Sequence, residues 1–222
     1  MSDIFREVDE EVRRDKANEL WKKHGPKFIA AAVLFIAGVA GWQFWQAQQF
    51  KERATLGAAY EAAIAQANGD KPEAQAALTA LSQGKTGTYP VLARFRLASE
   101  LAASAKDAPA LANAVSAFDA LANDTASPAE WRDLARLRAG LLLVDTAPFA
   151  EVEKRLSPLI SGTATFRHSA REGLALSAWK HGESAKALDA VQAIILDADT
   201  PQGLRQRAEL LLAVIRSGPI KR

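Results

Sequence analysis

The chain has 222 residues, of which 28 are basic and 26 acidic, and its 49% hydrophobic content is enough for one domain with a core. A formal net charge of +2 argues against nucleic acid as a partner, because binding a phosphate backbone requires a concentrated basic face. Cysteine is absent, which excludes disulfides and thiolate metal sites.

The first 26 residues form a charged tail with one weak apolar stripe. At helical spacing, its apolar residues lie near one side: Ile4, Phe5, Val8, Val12, Leu20 and Trp21. Two interpretations stay open, a solvated or surface-bound cytoplasmic helix, which we favour, and a docking helix for a cytoplasmic or membrane partner. Gly25-Pro26 predicts that this helix stops and that another begins, since proline is tolerated in a first helical turn.

The stretch 28–45 is apolar or small on every side of a helix. At about 1.5 Å per residue, a helix of this length roughly covers the hydrocarbon core of a bilayer. Its flanks are residue types that favour membrane interfaces: Lys22, Lys23 and Lys27 before it, Trp42 and Trp45 at its end. The acidic residues ahead of it, and the lack of a small-x-small site close behind it, argue against a cleaved signal peptide. The sequence therefore predicts one uncleaved transmembrane helix.

Basic residues predict the orientation of this span. Residues 13–27 contain six Lys or Arg and residues 46–60 contain two, and loops rich in basic residues stay in the cytoplasm. Lys22, Lys23 and Lys27 would thus determine the topology of a single-pass inner-membrane protein. The predicted domains are a cytoplasmic amphipathic tail at 1–26, a transmembrane helix at 27–46 and a periplasmic helical domain at 47–222.

Small residues line part of the predicted span. Ala37 and Gly41 stand four apart with Gly38 beside them, a spacing that permits close packing of another membrane helix. Because Ala and Gly are common in spans, two interpretations stay open: a docking face and ordinary composition. Trp42 and Trp45 are predicted to anchor the outer end of the helix.

Beyond residue 46 the chain is rich in Ala, Leu, Arg and Glu and is broken at regular intervals by turn sequences. Six prolines follow such breaks and predict helix starts: Pro72, Pro90, Pro109, Pro128, Pro148 and Pro201. The resulting nine helices are predicted at 47–67, 72–82, 90–104, 108–122, 128–144, 148–160, 165–180, 183–196 and 201–216. Ser127 and Glu130 predict a capping box for the fifth, and Pro158 should kink or end the sixth.

Four octets begin alternate helices of this domain: LARFRLAS (92–99), LARLRAGL (134–141), SAREGLAL (169–176) and LRQRAELL (204–211). Their intervals of 42, 35 and 35 residues are typical of solenoids built from paired helices. Small residues in the octets would let antiparallel helices approach closely: Ala93, Ala98, Ala135, Ala139, Ala170 and Ala175.

The last helix pairs resemble the tetratricopeptide-like family. The matching small and apolar positions are Leu174, Ala175, Gly182, Ala187 and Val191. Arg171 and Ala178 stand where the family has Trp and Tyr, and its closing proline is displaced to Pro201. The resemblance implies an all-α fold, a single transmembrane helix followed by a tetratricopeptide-like solenoid of paired antiparallel helices.

The order of parts resembles the ancillary-subunit family of the bacterial Sec translocon: a short tail, a span ending in GVAGWQFW (38–45), a linking helix and degenerate repeats. The resemblance implies association with channel subunits through the span and with membrane lipid. It also implies that the helical groove contacts periplasmic chaperones or exported clients. Two alternatives stay open, a general envelope scaffold for division or outer-membrane assembly, and an unrecognised enzyme.

No motif for catalysis, metal or cofactor emerges from the sequence. Gly84-Lys85-Thr86 is not a phosphate loop, because Thr79 stands where that loop needs glycine. His168 and Glu172, one turn apart on a predicted exposed face, are too few ligands for a metal. His181 is expected to bond the carbonyls of a helix end. We therefore expect a protein that is not an enzyme and holds no cofactor.

Overall fold

We describe the chain from a computed structural model, which covers residues 3–67, 72–84 and 87–218. Every secondary-structure element in these ranges is helical, which confirms the predicted all-α class. The α-helices are α1 (Asp3–Ala67), α2 (Pro72–Ser82), α3 (Thr88–Ser104), α4 (Ala108–Asn123), α5 (Ala129–Leu143), α6 (Phe149–Leu156), α7 (Arg167–Lys180), α8 (Ser184–Leu196) and α9 (Gln202–Arg216). A 3-10 turn, Ser157–Leu159, follows α6.

Helix α1 runs through Pro26 without a break, so the stop predicted at Gly25-Pro26 is wrong. Proline removes one N–H donor and leaves the carbonyl of Lys22 without its helical partner, but the turns on either side keep the helix continuous. The ring of Trp21 covers Gly25, where a Cβ atom would lie 3.3 Å from two ring carbons. Glycine thus lets the indole pack against the backbone one turn away.

The chain divides into two compact units after Thr55. In the first unit, the apolar stretch of α1 is exposed along its length. Within the described residues, the segment Trp21–Gln66 contains a window with mean hydropathy 1.8 and no buried residue, long and apolar enough to cross a membrane. The second unit, Leu56–Arg222, contains the helical domain. The domain bounds at 26 and 46 stay a prediction.

Prolines mark the helix starts as predicted. Pro72 opens α2, and Pro90 and Pro109 lie in the first turns of α3 and α4. The residues just before α5, α6 and α9 are Pro128, Pro148 and Pro201. The α-helix α6 ends two residues before Pro158, which lies in the 3-10 turn. This confirms the end expected there.

The predicted capping box of α5 is wrong. Ser127 is buried, and its hydroxyl donates to Asp124 Oδ2 at 2.9 Å instead of bonding the helix start. Pro128 takes the capping position, and its carbonyl accepts from the N–H groups of Trp131 and Arg132 at 3.2 Å. A capping box needs the Ser127 hydroxyl to accept from an N–H of the first turn, but here the hydroxyl is turned to donate to the carboxylate of Asp124, a charge-assisted hydrogen bond.

From α2 to α9, consecutive helices pack against each other, and α3, α5, α7 and α9 also pack in series. Short connections make neighbouring helices antiparallel hairpins, so the odd-numbered helices form one row. The six alanines predicted to let helices approach closely, in the first three octets, are all 0% exposed, as such contacts require. Glycines also allow close packing at the junction of α5, α6 and α7. There the Leu156 side chain lies against both Gly140 and Gly173.

The buried side chains form three clusters along the stack. One lies at the first hairpin around Ala63, Leu78 and Ala93. The second contains Phe95 and Phe118, whose ring centroids are 5.9 Å apart. The third and largest runs from α5 to α9. Each helical pair thus buries its apolar side against its neighbours, as solenoid repeats do.

Candidate interaction surfaces

The exposed side of the odd-numbered helices carries leucines at equivalent positions. Leu141 and Leu176 are each the eighth residue of their octet, and each is 38% exposed. Leu141 packs beside Gly173, where a Cβ atom would lie 2.8 Å from Leu141 Cδ2. Gly173 lies one helical turn before Leu176, so the two leucines belong to one surface. With Arg138, which is exposed one turn before Leu141, they form what we call the leucine face.

Ion pairs join the helices around the leucine face. Lys180 Nζ, at the end of α7, donates to the backbone carbonyl and to Oδ1 of Asp145, both at 2.8 Å. Arg207 of α9 pairs with Glu172 of α7 at 2.6 and 2.9 Å. Arg138 forms no ion pair with the acidic groups that the structure describes. An exposed guanidinium beside two leucines suits a partner segment that carries apolar side chains and a carboxylate.

Two loops with one sequence pattern connect α4 to α5 and α8 to α9. They read DTASP at 124–128 and DADTP at 197–201, with Asp just after a helix, then Ser or Thr, then Pro. In each, the Asp side chain accepts the N–H two residues on, at 3.0 and 3.1 Å. Asp124 also accepts from Arg94 Nη1 at 2.7 Å. Arginines of odd helices thus hold the ends of even helices.

Asp197 is the most strongly held carboxylate of the domain. Arg167 Nε and Arg171 Nη1 both donate to its Oδ2 at 2.9 Å. Hydrogen bonds from Arg167 first, and then from Arg171, hold the pKa of Asp197 far below its usual value, against the opposing effect of burial. Arg171 also donates to the carbonyl of Ile160 at 3.1 Å. These arginines are therefore structural groups that join α7 to the end of α8.

His168 is buried, at 8% exposed, so the exposed face predicted for His168 and Glu172 is wrong for the histidine. Thr200 Oγ1 donates to the carbonyl of Ile194 at 2.7 Å, so its oxygen accepts from His168 Nδ1–H at 3.1 Å. Burial, and then the neighbouring Arg167, lower the pKa of His168. The sequence suggested exposure because Thr200 lies 32 residues away and only the fold brings it to the ring.

Two small pockets lie beside α3, each about 210 Å³ in volume. The first is polar and opens between the starts of α3 and α5, lined by Thr88, Arg94, Ser127 and Trp131 among others. The second is more apolar and opens between α3 and α4, lined by Leu97, Leu101 and Leu121 together with alanines. Both are small beside the cavities of about 300–1,000 Å³ that usually hold small molecules.

The residues predicted for the span are all exposed along α1. Apart from the adjoining residues and backbone of α1 itself, no described atom lies within 4 Å of the position that a Cβ would take at Gly38 or Gly41, and Ala37 is exposed beside them. Trp42 and Trp45 pack with ring centroids 5.6 Å apart. Before the apolar stretch, Lys22, Lys23 and Lys27 are exposed too. Their roles in docking and topology stay predictions.

The predicted repeat-signature residues lie at the contact of α7 with α8. Leu174, Ala175, Ala187 and Val191 are buried. Gly182 follows α7 with a φ of 79°, a left-handed conformation that favours glycine. Next to it, His181 Nδ1 lies 2.8 Å from the Ser177 carbonyl, which confirms the helix-end role expected for this histidine.

Among the side chains that the structure describes, no group of three or more possible metal ligands occurs. Gly84 follows α2, whereas Lys85 and Thr86 of the rejected phosphate loop lie outside the described residues.

Comparison with known proteins agrees with the helical hairpins. A family profile described as a tetratricopeptide repeat-like domain matches residues 18–212, most of the chain. The chain belongs to the tetratricopeptide repeat-like family. A member of this family need not be an enzyme, because the fold presents surfaces and does not by itself supply catalytic groups.

One relative of this tetratricopeptide repeat-like chain is the "Ancillary SecYEG translocon subunit" of Haemophilus influenzae. The two are 29% identical over 87 residues, which is 39% of this chain and 43% of the relative. The match thus spans less than half of the relative's length. No solved structure matches the chain at a significant level.

Sequence reasoning did not find the leucine face or the paired Asp loops. The leucine face could have been found by aligning the octets, since Leu141 and Leu176 are both the eighth residue of their octet. The two loops read Asp-x-x-Ser/Thr-Pro in the sequence, 73 positions apart. From the sequence these loops were interpreted only as turns between helices, because a turn sequence does not show which arginine will bond its Asp side chain.

Proposed function

We propose that this protein is a single-span inner-membrane adaptor of the Sec translocon, without enzymatic activity. The observation that carries the proposal is the similarity to the ancillary translocon subunit of Haemophilus influenzae. Support comes from an apolar helix long enough to span a membrane ahead of a tetratricopeptide repeat-like domain. The excess of Lys and Arg before the span, six against two after it, favours a cytoplasmic N-terminus and a periplasmic helical domain.

In this proposal the span docks beside a helix of a channel subunit through Ala37, Gly38 and Gly41. Small residues let two backbones approach closely in a bilayer, where packing rather than the hydrophobic effect drives helix association. The space beside Gly38 and Gly41 is open in the described chain, so a partner helix can occupy it.

The helical domain then holds a segment of a periplasmic chaperone or an exported client on the leucine face. Leu141 and Leu176 would bind apolar side chains, and Arg138 would pair with a carboxylate of the segment. An adaptor of this kind works by bringing two proteins together, so that a chaperone meets a client as it leaves the channel.

Affinity purification of the full chain in mild detergent tests the translocon association. We expect channel subunits to be recovered with the parent protein and to be much depleted with the double variant Ala37→Leu/Gly41→Leu. Val39→Leu, on the opposite side of the same helix at about 100° per residue, is the matched control and should keep them. Absence of channel subunits from the parent sample would refute the association.

Photo-crosslinking in cells tests the helical domain. A crosslinker at position 176 should capture identified envelope chaperones or proteins with export signals, whereas one at the exposed Gln192 of α8 should not. Capture of division or outer-membrane assembly proteins at position 176 would favour the general envelope scaffold instead.

A further inference from the structure

We propose that the basic end of the apolar helix is a binding site for anionic phospholipid headgroups, an inference that rests on the proposed membrane span. Its lysines, Lys22, Lys23 and Lys27, are all exposed. Because α1 continues through Pro26, these residues belong to one helix with the apolar stretch and keep a fixed position relative to it. A break at Gly25-Pro26 would have left Lys22 and Lys23 on a separate element.

Distances along the helix place the three ammonium groups in one layer. At about 1.5 Å per residue, Lys23 and Lys22 lie roughly 6 and 7.5 Å before Lys27. The headgroup region on one side of a bilayer is about 5–7 Å thick. Flexible lysine side chains extend several ångströms toward water or phosphate, so all three reach lipid phosphates at the same time.

The lysines are also grouped around the helix. Counted from Trp21 at about 100° per residue, Lys22, Lys23 and Lys27 lie at roughly 100°, 200° and 240°. The opposite side carries Trp21, which is 63% exposed, and Phe28, which is 68% exposed. An indole at that level favours the membrane interface. One side of the helix therefore meets headgroup charge while the other meets the edge of the hydrocarbon.

The surrounding charges leave this attraction intact. Residues 13–27 contain six basic and two acidic side chains. Of the acidic residues at 3–11, Glu11 is the nearest to the lysines. It lies about 16 Å before Lys22 along the helix, which is roughly twice the Debye length of about 8 Å at physiological salt. Each basic residue near an anionic surface strengthens binding about fivefold.

The other end of the apolar stretch lacks these features. Lys51 and Arg53 flank Glu52, and Arg53 Nη2 donates to Gln49 Oε1 at 3.4 Å. Lys51 lies about 9 Å beyond Trp45, as far as Lys22 lies before Phe28, but no basic residue stands at this edge of the apolar stretch as Lys27 does at the other. Its two basic residues therefore provide a matched control for the pair Lys22 and Lys23.

The experiment uses the full chain in bilayers of phosphatidylglycerol and phosphatidylcholine in equal amounts, with identical acyl chains. After release in mild detergent, native mass spectrometry measures the ratio of the two lipids retained on the protein. We expect the parent to retain mainly phosphatidylglycerol, and Lys22→Gln/Lys23→Gln to lower this preference by roughly 10-fold to 30-fold. Lys22→Arg/Lys23→Arg should preserve it, and Lys51→Gln/Arg53→Gln should leave it unchanged.

A parent protein without preference for phosphatidylglycerol would overturn the inference, as would equal losses in the two glutamine pairs. Extraction with alkaline carbonate separates this failure from failure of the span itself. A chain that resists extraction but shows no lipid preference refutes the lipid site alone. A chain that washes out of the bilayers refutes both the membrane anchor and the lipid site.

Discussion

The carboxylate of Asp197 joins two helices through charge, and its effect on stability should depend on pH. Its pKa in the folded chain lies far below the ordinary value of 3.8 because of the hydrogen bonds from Arg167 and Arg171. As pH falls below that ordinary value, the unfolded chain binds a proton before the folded one does. The contribution of Asp197 is therefore fully present above about pH 5 and is lost at lower pH.

We expect Asp197→Asn to lower the melting temperature at neutral pH, because it removes the carboxylate that Arg167 and Arg171 share and leaves Arg167 only the exposed carboxylate of Asp199. The difference in melting temperature between about pH 7 and pH 3 should become smaller than in the parent. Asp189→Asn, an exposed residue of α8, is the matched control and should change neither quantity. An unchanged acid response in Asp197→Asn would show that the ion pairs add no net stability.

Substitution of Ser177, unlike that of Asp197, should make the folded protein more stable. Ser177 is 0% exposed, and its hydroxyl has no hydrogen-bond partner among the described residues. An unpaired buried hydroxyl lowers stability by about 1–3 kcal/mol, so Ser177→Ala should raise the free energy of unfolding by about 1 kcal/mol. Denaturant titration of Ser177→Ala and of the exposed control Ser116→Ala separates this effect from helix propensity. Equal gains in both variants would contradict it.

At the scale of elements, the junction of α5, α6 and α7 depends on the absence of side chains. A Cβ atom at Gly140 would lie 2.7 Å from Leu156 Cγ, and Leu156 is 0% exposed. Alanine favours a helix over glycine by about 1 kcal/mol, but overpacking a core lowers stability by about 1–3 kcal/mol. We expect Gly140→Ala to lower the free energy of unfolding by about 1 kcal/mol. Gly203→Ala, in open space on α9, should not lower it.

Helix starts could be predicted from the sequence because their cause is local. A proline fixes its own backbone and lacks a donor, so its effect does not depend on distant residues, and Pro158 ended α6 as expected. Two local expectations, the capping box at Ser127 and the helix stop at Pro26, were wrong. Asp124 took the hydroxyl of Ser127, and the turns around Pro26 kept α1 continuous.

The candidate surfaces depend on contacts between residues that are far apart in the sequence. They were therefore harder to predict from local sequence patterns. The burial of His168 follows from Thr200, and the leucine face follows from the packing of α5 on α7. Helical periodicity identifies the side of a helix that is buried, but it does not say which exposed side faces a partner. The one sequence feature that indicates this surface is the equivalent position of Leu141 and Leu176 in their octets.

At the scale of the whole molecule, the proposed function requires the two ends of α1 to face different compartments. The chain has no cysteine, so a single introduced cysteine reports its own location without background. Asn18 precedes the apolar stretch and Gln192 lies in α8, and both are exposed. Substitutions there should leave the fold unchanged.

The most direct test is therefore labelling of Asn18→Cys and Gln192→Cys with a membrane-impermeant maleimide. The reagent is applied to cells whose outer membrane has been made permeable while the inner membrane stays intact. We predict that Gln192→Cys is labelled in these cells and that Asn18→Cys is labelled only after the inner membrane is lysed. Labelling of Asn18→Cys alone in cells with an intact inner membrane, or equal labelling of both, would contradict the proposed topology.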